Sequence, residues 1–440
     1  MTHFVQMAEW SVYPGPNDSA LPASVLFDGS SPETATVEKI DILSKRGLLQ
    51  IEDFRNGLII KSRSFVGKVR FGGLEITVEP KITGAPFMRL LRYAYSLRNL
   101  DLMDRATFET ESLCFQDLLI YQLLLEATEL ANRGLRREFV RKEHLLPTPR
   151  GRFDINAIAR TGVFPTDRLP CITHDRDVNV PLNRVLLAGL SHAARSTDSL
   201  WLRGKLNWLS SILREGVTPL KLSTATITDA QRCLTRITRV YEPALNLIEL
   251  LYAGQGLSLD AGASVYLSGF LFDMNRFFQS LLSRFLNEHL VGFEVCDEES
   301  IRGMMRYDPA NNPLNRRSPT LRPDFAIRQG GSTVAILDAK YRDLWRSDLP
   351  REMLYQLAMY ALSQPTERSA TILYPALGPS ATDARIVITD PIDSATPARV
   401  IVRPVDLLAI DRVISQTMTP NRSAVATMLA NSLVFGSAHA

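Results

Sequence analysis

The sequence predicts a multidomain α+β protein, with an N-terminal antiparallel β region, a helical middle and a C-terminal α/β domain. Three observations predict it. At 440 residues the chain is longer than one hydrophobic core serves, since domains run to roughly 100–200 residues. Between residues 48 and 82, short β-type runs are punctuated by Asn56-Gly57 and Gly72-Gly73, dipeptides that tolerate the positive φ of tight hairpins. From about residue 264 onward a helical pattern leads into strands, another helix and more strands, the alternation expected of an α/β domain.

Composition narrows the class further. Hydrophobic residues make up 45% and charged residues 22%, which excludes wholesale disorder. No apolar run approaches the ~20 residues of a membrane span. Even the stretch 113–131 is interrupted by Gln116, Asp117, Gln122 and Glu126, so no membrane partner is expected. The first six residues lack a charged segment followed by an apolar one, so secretion is not expected. Cys114, Cys171, Cys233 and Cys296 lie far apart without a C-x-x-C pair, which argues against a disulfide scaffold or zinc site and fits a reducing cytoplasm. Fifty basic against 47 acidic residues leave a charge of +3, too little to indicate nucleic acid on its own.

Along the chain, the first thirty residues are rich in Pro, Gly, Ser and Ala and show no period. Strand-like runs follow at 48–54, 58–71 and 74–82. Apolar spacing of three to four predicts helices at 87–97 and 113–133, with Gly134 as a stop for the second. Residues 133–152 are basic, with Arg133, Arg136, Arg137, Arg141, Lys142, Arg150 and Arg152 against Glu138 and Glu143. That stretch is either a solvated face or a surface for a partner or a phosphate. Helices are expected at 182–195, 200–214 and 229–251, and after the Gly-rich boundary 252–263 another at 267–290. The expected domains are 1–110 (β-rich), 111–255 (helical, partner-binding), 264–405 (α/β) and a helical tail, 406–440.

The chemistry is concentrated in LRPDFAIRQGGSTVAILDAKYR, residues 321–342. Two strand-like runs, 322–328 and 333–340, flank Gly330-Gly331-Ser332, a short hairpin loop. A hairpin centred on Gly331 sets Asp324 opposite Asp338, with Cβ atoms roughly 4.5–5.5 Å apart on one face. Lys340, two residues past Asp338, shares that face through the strand period of two. Two carboxylates so close repel unless a cation or proton lies between them. Mg²⁺ suits them, because it accepts one or two carboxylates and keeps several waters. A neighbouring ammonium can orient one of those waters, a constellation suited to metal-assisted phosphodiester hydrolysis. A surface hairpin with an ordinary Asp–Lys pair is the competing reading.

Proline-Asp, a spacer and then Asp-x-Lys form the signature of the PD-(D/E)xK nucleases. Residues 347–350, Ser-Asp-Leu-Pro, read as the start of a helix with a cap and an early proline. That helix sets Gln356 and Tyr360 four apart, similar to the Q-x-x-x-Y element of such nucleases. Upstream, FDMNRFFQSLLSRFL (272–286) resembles their first core helix. FDMN (272–275), RPDF (322–325), LDAKY (337–341) and YQLAMYA (355–361) together resemble the nuclease half of the McrC family, the endonuclease subunits of McrBC modified-cytosine restriction systems. FVGKVRFGGLEITVEPKI (65–82), RGLRREF (133–139), PRGRFDI (149–155) and DVNVPLNRVL (177–186) extend the resemblance through the N-terminal half.

The resemblance implies a restriction-endonuclease-like PD-(D/E)xK domain in a restriction and antiviral defence system. It implies a Mg²⁺-dependent DNA endonuclease subunit that docks on an McrB-like AAA+ GTPase ring and stimulates its hydrolysis, with any dimerisation arising through the larger complex. Asp324 and Asp338 become metal ligands, with the Ala339 carbonyl as a further contact, and Lys340 becomes the water-orienting cation. Gln356 and Tyr360 support the site, Tyr360 as a packing residue. Gln279 stands where many members have Glu; it can hydrogen-bond a metal-bound water but supplies no charge. That departure keeps open a non-cutting adaptor that activates the NTPase through a degenerate nuclease fold. No G-x-x-x-x-G-K-[ST] loop occurs, so the chain is not expected to bind a nucleotide itself.

Other constellations are weaker. His3, His144, His174, His192, His289 and His439 form no i,i+4 pair, against a zinc hydrolase, and Gly151 lacks the strand–Gly–helix setting of a dinucleotide site. Arg302, Arg306, Arg316, Arg317 and Arg322 precede or flank Asp324 and are expected to contact DNA phosphates. Within the basic stretch, Arg136, Arg137 and Arg141 are the expected partner contacts.

Overall fold

A computed structural model describes residues 3–15, 18–26, 33–54, 57–71, 73–82, 84–97, 115–161, 167–255, 268–301, 304–364, 367–389, 397–416 and 420–436. Asn56, Gly72, Cys114, Arg302, His439 and most of the Gly-rich boundary (256–263) lie outside them. No helix among the described residues is long and apolar enough to cross a membrane. The protein is a multidomain α+β fold, and it divides into two compact units, Met1–Leu97 with Leu271–Ala440, and Arg98–Phe270. The sequence reading had separated the N-terminal β region from the α/β domain; the structure gathers them into one unit, held by contacts far apart in sequence.

In the first unit, His3–Ala8 is a strand that sequence reading left without period. It lies parallel to Leu74–Glu79, with Val5 and Met7 turned inward, and Leu74–Glu79 pairs antiparallel with Phe65–Phe71. The run expected as one strand, 58–71, is two: Gly57–Ser62 pairs with Leu49–Phe54 in a second sheet, and the chain turns at Arg63-Ser64. The expected helix at 267–290 begins as the strand Ser268–Asp273 and becomes helical at Met274–His289. Asp273 makes the switch, because its carboxylate accepts the Asn275 and Arg276 backbone N–H groups as an N-cap. That helix buries Phe277, Phe278, Leu281, Leu282 and Phe285 completely, each contributing roughly 1.5–3 kcal/mol over exposure. Phe277 meets Phe87 of helix Gly84–Ala94 edge to face at 5.4 Å.

The largest sheet has six strands, ordered Glu294–Asp297, Phe325–Gln329, Ser332–Ala339, Ser369–Ala376, Ala398–Asp406 and Ala384–Ile388. Its centre is parallel, from Ser332–Ala339 through Ser369–Ala376 to Ala398–Asp406. Parallel neighbours need a crossover, and helix Arg351–Ser363 supplies the first one. Pro350 stands at its cap position. Ser347, at the start of the expected cap segment 347–350, donates its hydroxyl to the Asp343 carbonyl and belongs to the preceding turn. The tail forms two helices, Leu407–Ser415 and Pro420–Phe435.

The second unit is helical, with helices Phe115–Arg133, Pro181–Ser196, Leu200–Arg214, Thr224–Arg232 and Glu242–Gln255. The helix expected at 229–251 is broken at 233–241. There the Thr238 hydroxyl bonds the Cys233 carbonyl and the Thr235 N–H in place of helical bonds, and Pro243 restarts the helix at its first turn. Part of the basic stretch is a strand, Glu138–Leu146, carrying Arg141 and Lys142, in the three-stranded sheet Glu138–Leu146, Leu169–Asp177 and Arg152–Phe153. Gly151 makes the turn: its φ is +78°, and a Cβ would sit 2.4 Å from the Ile172 carbonyl oxygen.

Candidate active site

The hairpin that carries the Asp and Lys residues is built locally. Gly330 (φ 58°) and Gly331 (φ 82°) form its two-residue turn, a conformation that favours glycine. From that turn Gln329 pairs with Ser332 and Arg328 with Thr333; a bulge between Ile327 and Arg328 then shifts the register. Beyond the bulge Ile327 pairs with Ala335, Ala326 with Ile336 and Phe325 with Leu337. The expected centring on Gly331 therefore holds at the open end of the hairpin, although the turn itself is centred half a residue earlier. Asp324 follows on from Phe325 as Asp338 does from Leu337, and the two carboxylates converge.

Lys340 Nζ lies 3.0 Å from Asp338 Oδ2 and 3.6 Å from Asp324 Oδ2. Asp324 is held on both oxygens: Oδ2 accepts the Ala339 N–H at 2.7 Å, and Oδ1 accepts Gln279 Nε2 at 3.2 Å. Asp338 is 3% exposed. Burial, with Asp324 beside it, pushes the Asp338 carboxyl up to about 6, although Lys340 pulls the other way. Burial also works against the Lys340 charge, but the two carboxylates outweigh it and its pKa is raised.

Gln279 projects from helix Met274–His289 and donates to Asp324, a bond that an ionised Glu could not make. Gln356 Nε2 donates to the Tyr360 hydroxyl at 2.6 Å, and that hydroxyl donates to the Arg322 carbonyl at 2.9 Å. Tyr360 is 1% exposed, so it packs in the core and pins the backbone two residues before Asp324. Arg322 turns its guanidinium to the Glu298 carboxylate and carbonyl. Arg306, Arg316 and Arg317 are exposed on the preceding loop, where Asn312 bonds both the N–H and the carbonyl of Arg316.

The donor set fits Mg²⁺. Among the described residues no three of His, Cys, Asp and Glu cluster, whereas structural zinc sites are almost always enclosed by four ligands. Two converging carboxylates leave most positions to water or substrate oxygens, as Mg²⁺ prefers.

In the second unit, Arg137 is exposed just before the strand Glu138–Leu146 and Arg141 is exposed on it, where Arg141 pairs with Glu143 at 2.9 Å. Arg136 is half-buried and its Nε lies 3.7 Å from Glu138. Its backbone is anchored, the N–H by the Tyr241 hydroxyl and the carbonyl by Asn183 Nδ2. Sequence reasoning missed Asn183 as an anchor, although it lies within the DVNVPLNRVL motif.

Fold and side chains together define the class, a multidomain α+β protein with a half-buried centre of two carboxylates and one ammonium. Over residues 60–375 the sequence matches the McrBC 5-methylcytosine restriction system components, and the chain belongs to that family. Among solved structures it resembles a chain of the Thermococcus gammatolerans assembly of McrB AAA+ hexamers with bound McrC, at 20% identity and a TM-score of 0.58 over 98% of this chain and 100% of that one. A chain of the Thermococcus gammatolerans McrBC complex is 21% identical, with a TM-score of 0.45 over 66% of this chain and 88% of that one. No curated protein matches the sequence.

Proposed function

We propose that this chain is the Mg²⁺-dependent DNA endonuclease subunit of a modification-dependent restriction system, cutting DNA together with an AAA+ GTPase whose hydrolysis it stimulates. The observation that carries the reading is the Asp324–Asp338–Lys340 centre at the open end of one hairpin. Family membership supports the restriction role, and the order Pro-Asp, Asp-x-Lys on one hairpin supports a PD-(D/E)xK nuclease.

In this reading Asp324, Asp338 and the Ala339 carbonyl hold the metal. When bound, Mg²⁺ supplies Lewis acidity at a phosphoryl oxygen and lowers the pKa of a coordinated water. Lys340 positions the attacking water and offsets the charge that develops on the phosphodiester. Gln279 and the Ala339 N–H fix the rotamer of Asp324, and Tyr360, held by Gln356, fixes the strand leading into it. Arg306, Arg316 and Arg317, with Arg302 and Arg322, provide backbone phosphate contacts that position a duplex without reading its sequence. The exposed strand carrying Arg141, with Arg136 and Arg137 in the segment that leads into it, is the surface for the AAA+ partner. Phe139 and Leu145, 65% and 63% exposed on the same strand, give that surface an apolar component.

Purified chain, its AAA+ partner, GTP, Mg²⁺ and methylated plasmid test the reading. Wild type linearises or nicks the plasmid, and Asp338→Ala does not, while still stimulating GTP hydrolysis. Stimulation without cleavage by the wild type would instead establish the non-cutting adaptor.

A further inference from the structure

Tyr341, directly after Lys340, is held at three points by residues remote in sequence. Its N–H donates to Asn275 Oδ1 at 3.0 Å, its carbonyl accepts Trp10 Nε1 at 2.9 Å, and its hydroxyl donates to Glu9 Oε1 at 2.8 Å. Each holding residue is itself fixed. Asn275 Nδ2 donates to the Ser64 hydroxyl at 2.6 Å, and the adjacent Met274 N–H donates to the Ser64 carbonyl. Glu9 is 1% exposed, and the oxygen that receives Tyr341 also accepts the Lys81 N–H at 2.9 Å. Trp10 adopts φ 55°, a left-handed conformation uncommon for a bulky residue, and its ring lies under the Arg342 guanidinium at 5.2 Å. Such a conformation persists when its surroundings over-determine it, and outliers of this kind cluster where geometry must be exact.

We propose that Glu9, Trp10 and Asn275 are positioning residues of the nuclease centre: by clamping Tyr341 they fix the backbone that carries the Ala339 carbonyl and the Lys340 side chain. The strand Ser332–Ala339 ends just before this point, and the Lys340 N–H is held by the Leu373 carbonyl. Past that bond Lys340 has left the sheet's ladder, and the clamp on Tyr341 takes over. The N-terminal strand is thus part of the catalytic apparatus, and the α/β domain without residues 9 and 10 would carry a loosened Lys340. As catalysis, the inference rests on the nuclease reading above; as geometry, it does not.

The test uses the full chain with two readouts. In EDTA, competitive amine acylation read by mass spectrometry reports the freedom of Lys340, with Lys45 and Lys205 as internal references. Trp10→Phe, which keeps an aromatic ring but loses the Nε1–H donor, and Tyr341→Phe should each raise Lys340 labelling several-fold and leave the references unchanged. Glu9→Gln keeps an acceptor and should preserve protection, whereas Glu9→Leu should lose it. In the cleavage assay Trp10→Phe should lower kcat about ten- to a hundredfold with KM for DNA unchanged, as expected for a displaced catalytic group. Unchanged Lys340 labelling in folded Trp10→Phe overturns the proposal, and if Glu9→Leu fails to fold, Trp10→Phe alone decides. Altered labelling in a chain whose wild type never cuts DNA would leave the clamp standing and remove the nuclease reading instead.

Discussion

Asp338→Asn in the metal-free chain puts the electrostatics of the centre to a quantitative test. Burial raises the folded-state pKa of Asp338 from 3.8 to about 6. The folded chain therefore binds this proton more tightly than the unfolded chain does. Stability is greatest below the unfolded value and is lost as pH rises through about 6. Two pKa units correspond to about 3 kcal/mol, the penalty that the ionised carboxylate imposes above that range. Asparagine has nearly the same shape and carries no charge, so in EDTA at pH well above 6 it should stabilise the first unit by up to about 3 kcal/mol. For a unit of this size that raises the midpoint by about 5–10 °C. The gap should shrink on acidification and vanish as pH falls below 3.8, where Asp338 is protonated in both the folded and the unfolded chain. Added Mg²⁺ should then stabilise the wild type by mass action and leave the variant unmoved. Calorimetry from below pH 3.8 up to about pH 8, with and without Mg²⁺, measures all of this. A variant less stable than wild type at pH 8, or a gap independent of pH, would refute the reasoning.

Three further outcomes are expected. Lys340→Ala should reduce single-turnover cleavage far more than DNA affinity, since one lysine is a small part of a phosphate contact surface; filter binding alongside cleavage tests this, and proportional losses would contradict it. Arg403→Met should destabilise the first unit by about 1–3 kcal/mol for each of the buried Leu433 and Val434 carbonyls that Arg403 now satisfies, whereas the exposed Asp383 carboxylate turns to water; thermal denaturation at neutral pH reads the drop. Reversing Arg137 and Arg141 to Glu should weaken stimulation of the partner's GTPase without lowering the melting temperature, and wild-type stimulation would show that face to be merely solvated.

The part of the site legible in sequence is the part built from neighbours in sequence. Gly330-Gly331 between two apolar runs announces a hairpin, and strand alternation then places Asp324, Asp338 and Lys340 together with no knowledge of the rest of the chain. Gln356 and Tyr360 were legible as a helical pair for the same reason, and the structure adds that Tyr360 ends on the Arg322 carbonyl. The bulge at Ile327/Arg328 was not legible, because nothing in a short apolar strand marks where a residue is left unpaired. Helix boundaries failed where side chains captured backbone groups: Thr238 breaks the run expected at 229–251, and Asp273 converts the end of a strand into the start of a helix.

Local pattern thus set the chemistry of the centre, its carboxylates and its ammonium, and the strand and helix content around them. It could not say what holds that centre in place. Trp10 and Glu9 reach Tyr341 across 331 and 332 residues of chain, and no periodicity records a bond between positions so distant. The same limit applies to the first unit as a whole, where the N-terminal sheet joins the α/β domain through contacts that exist once both have folded. Hydrogen bonds and burial at long sequence separation depend on which surfaces meet, and that is a property of the packed chain.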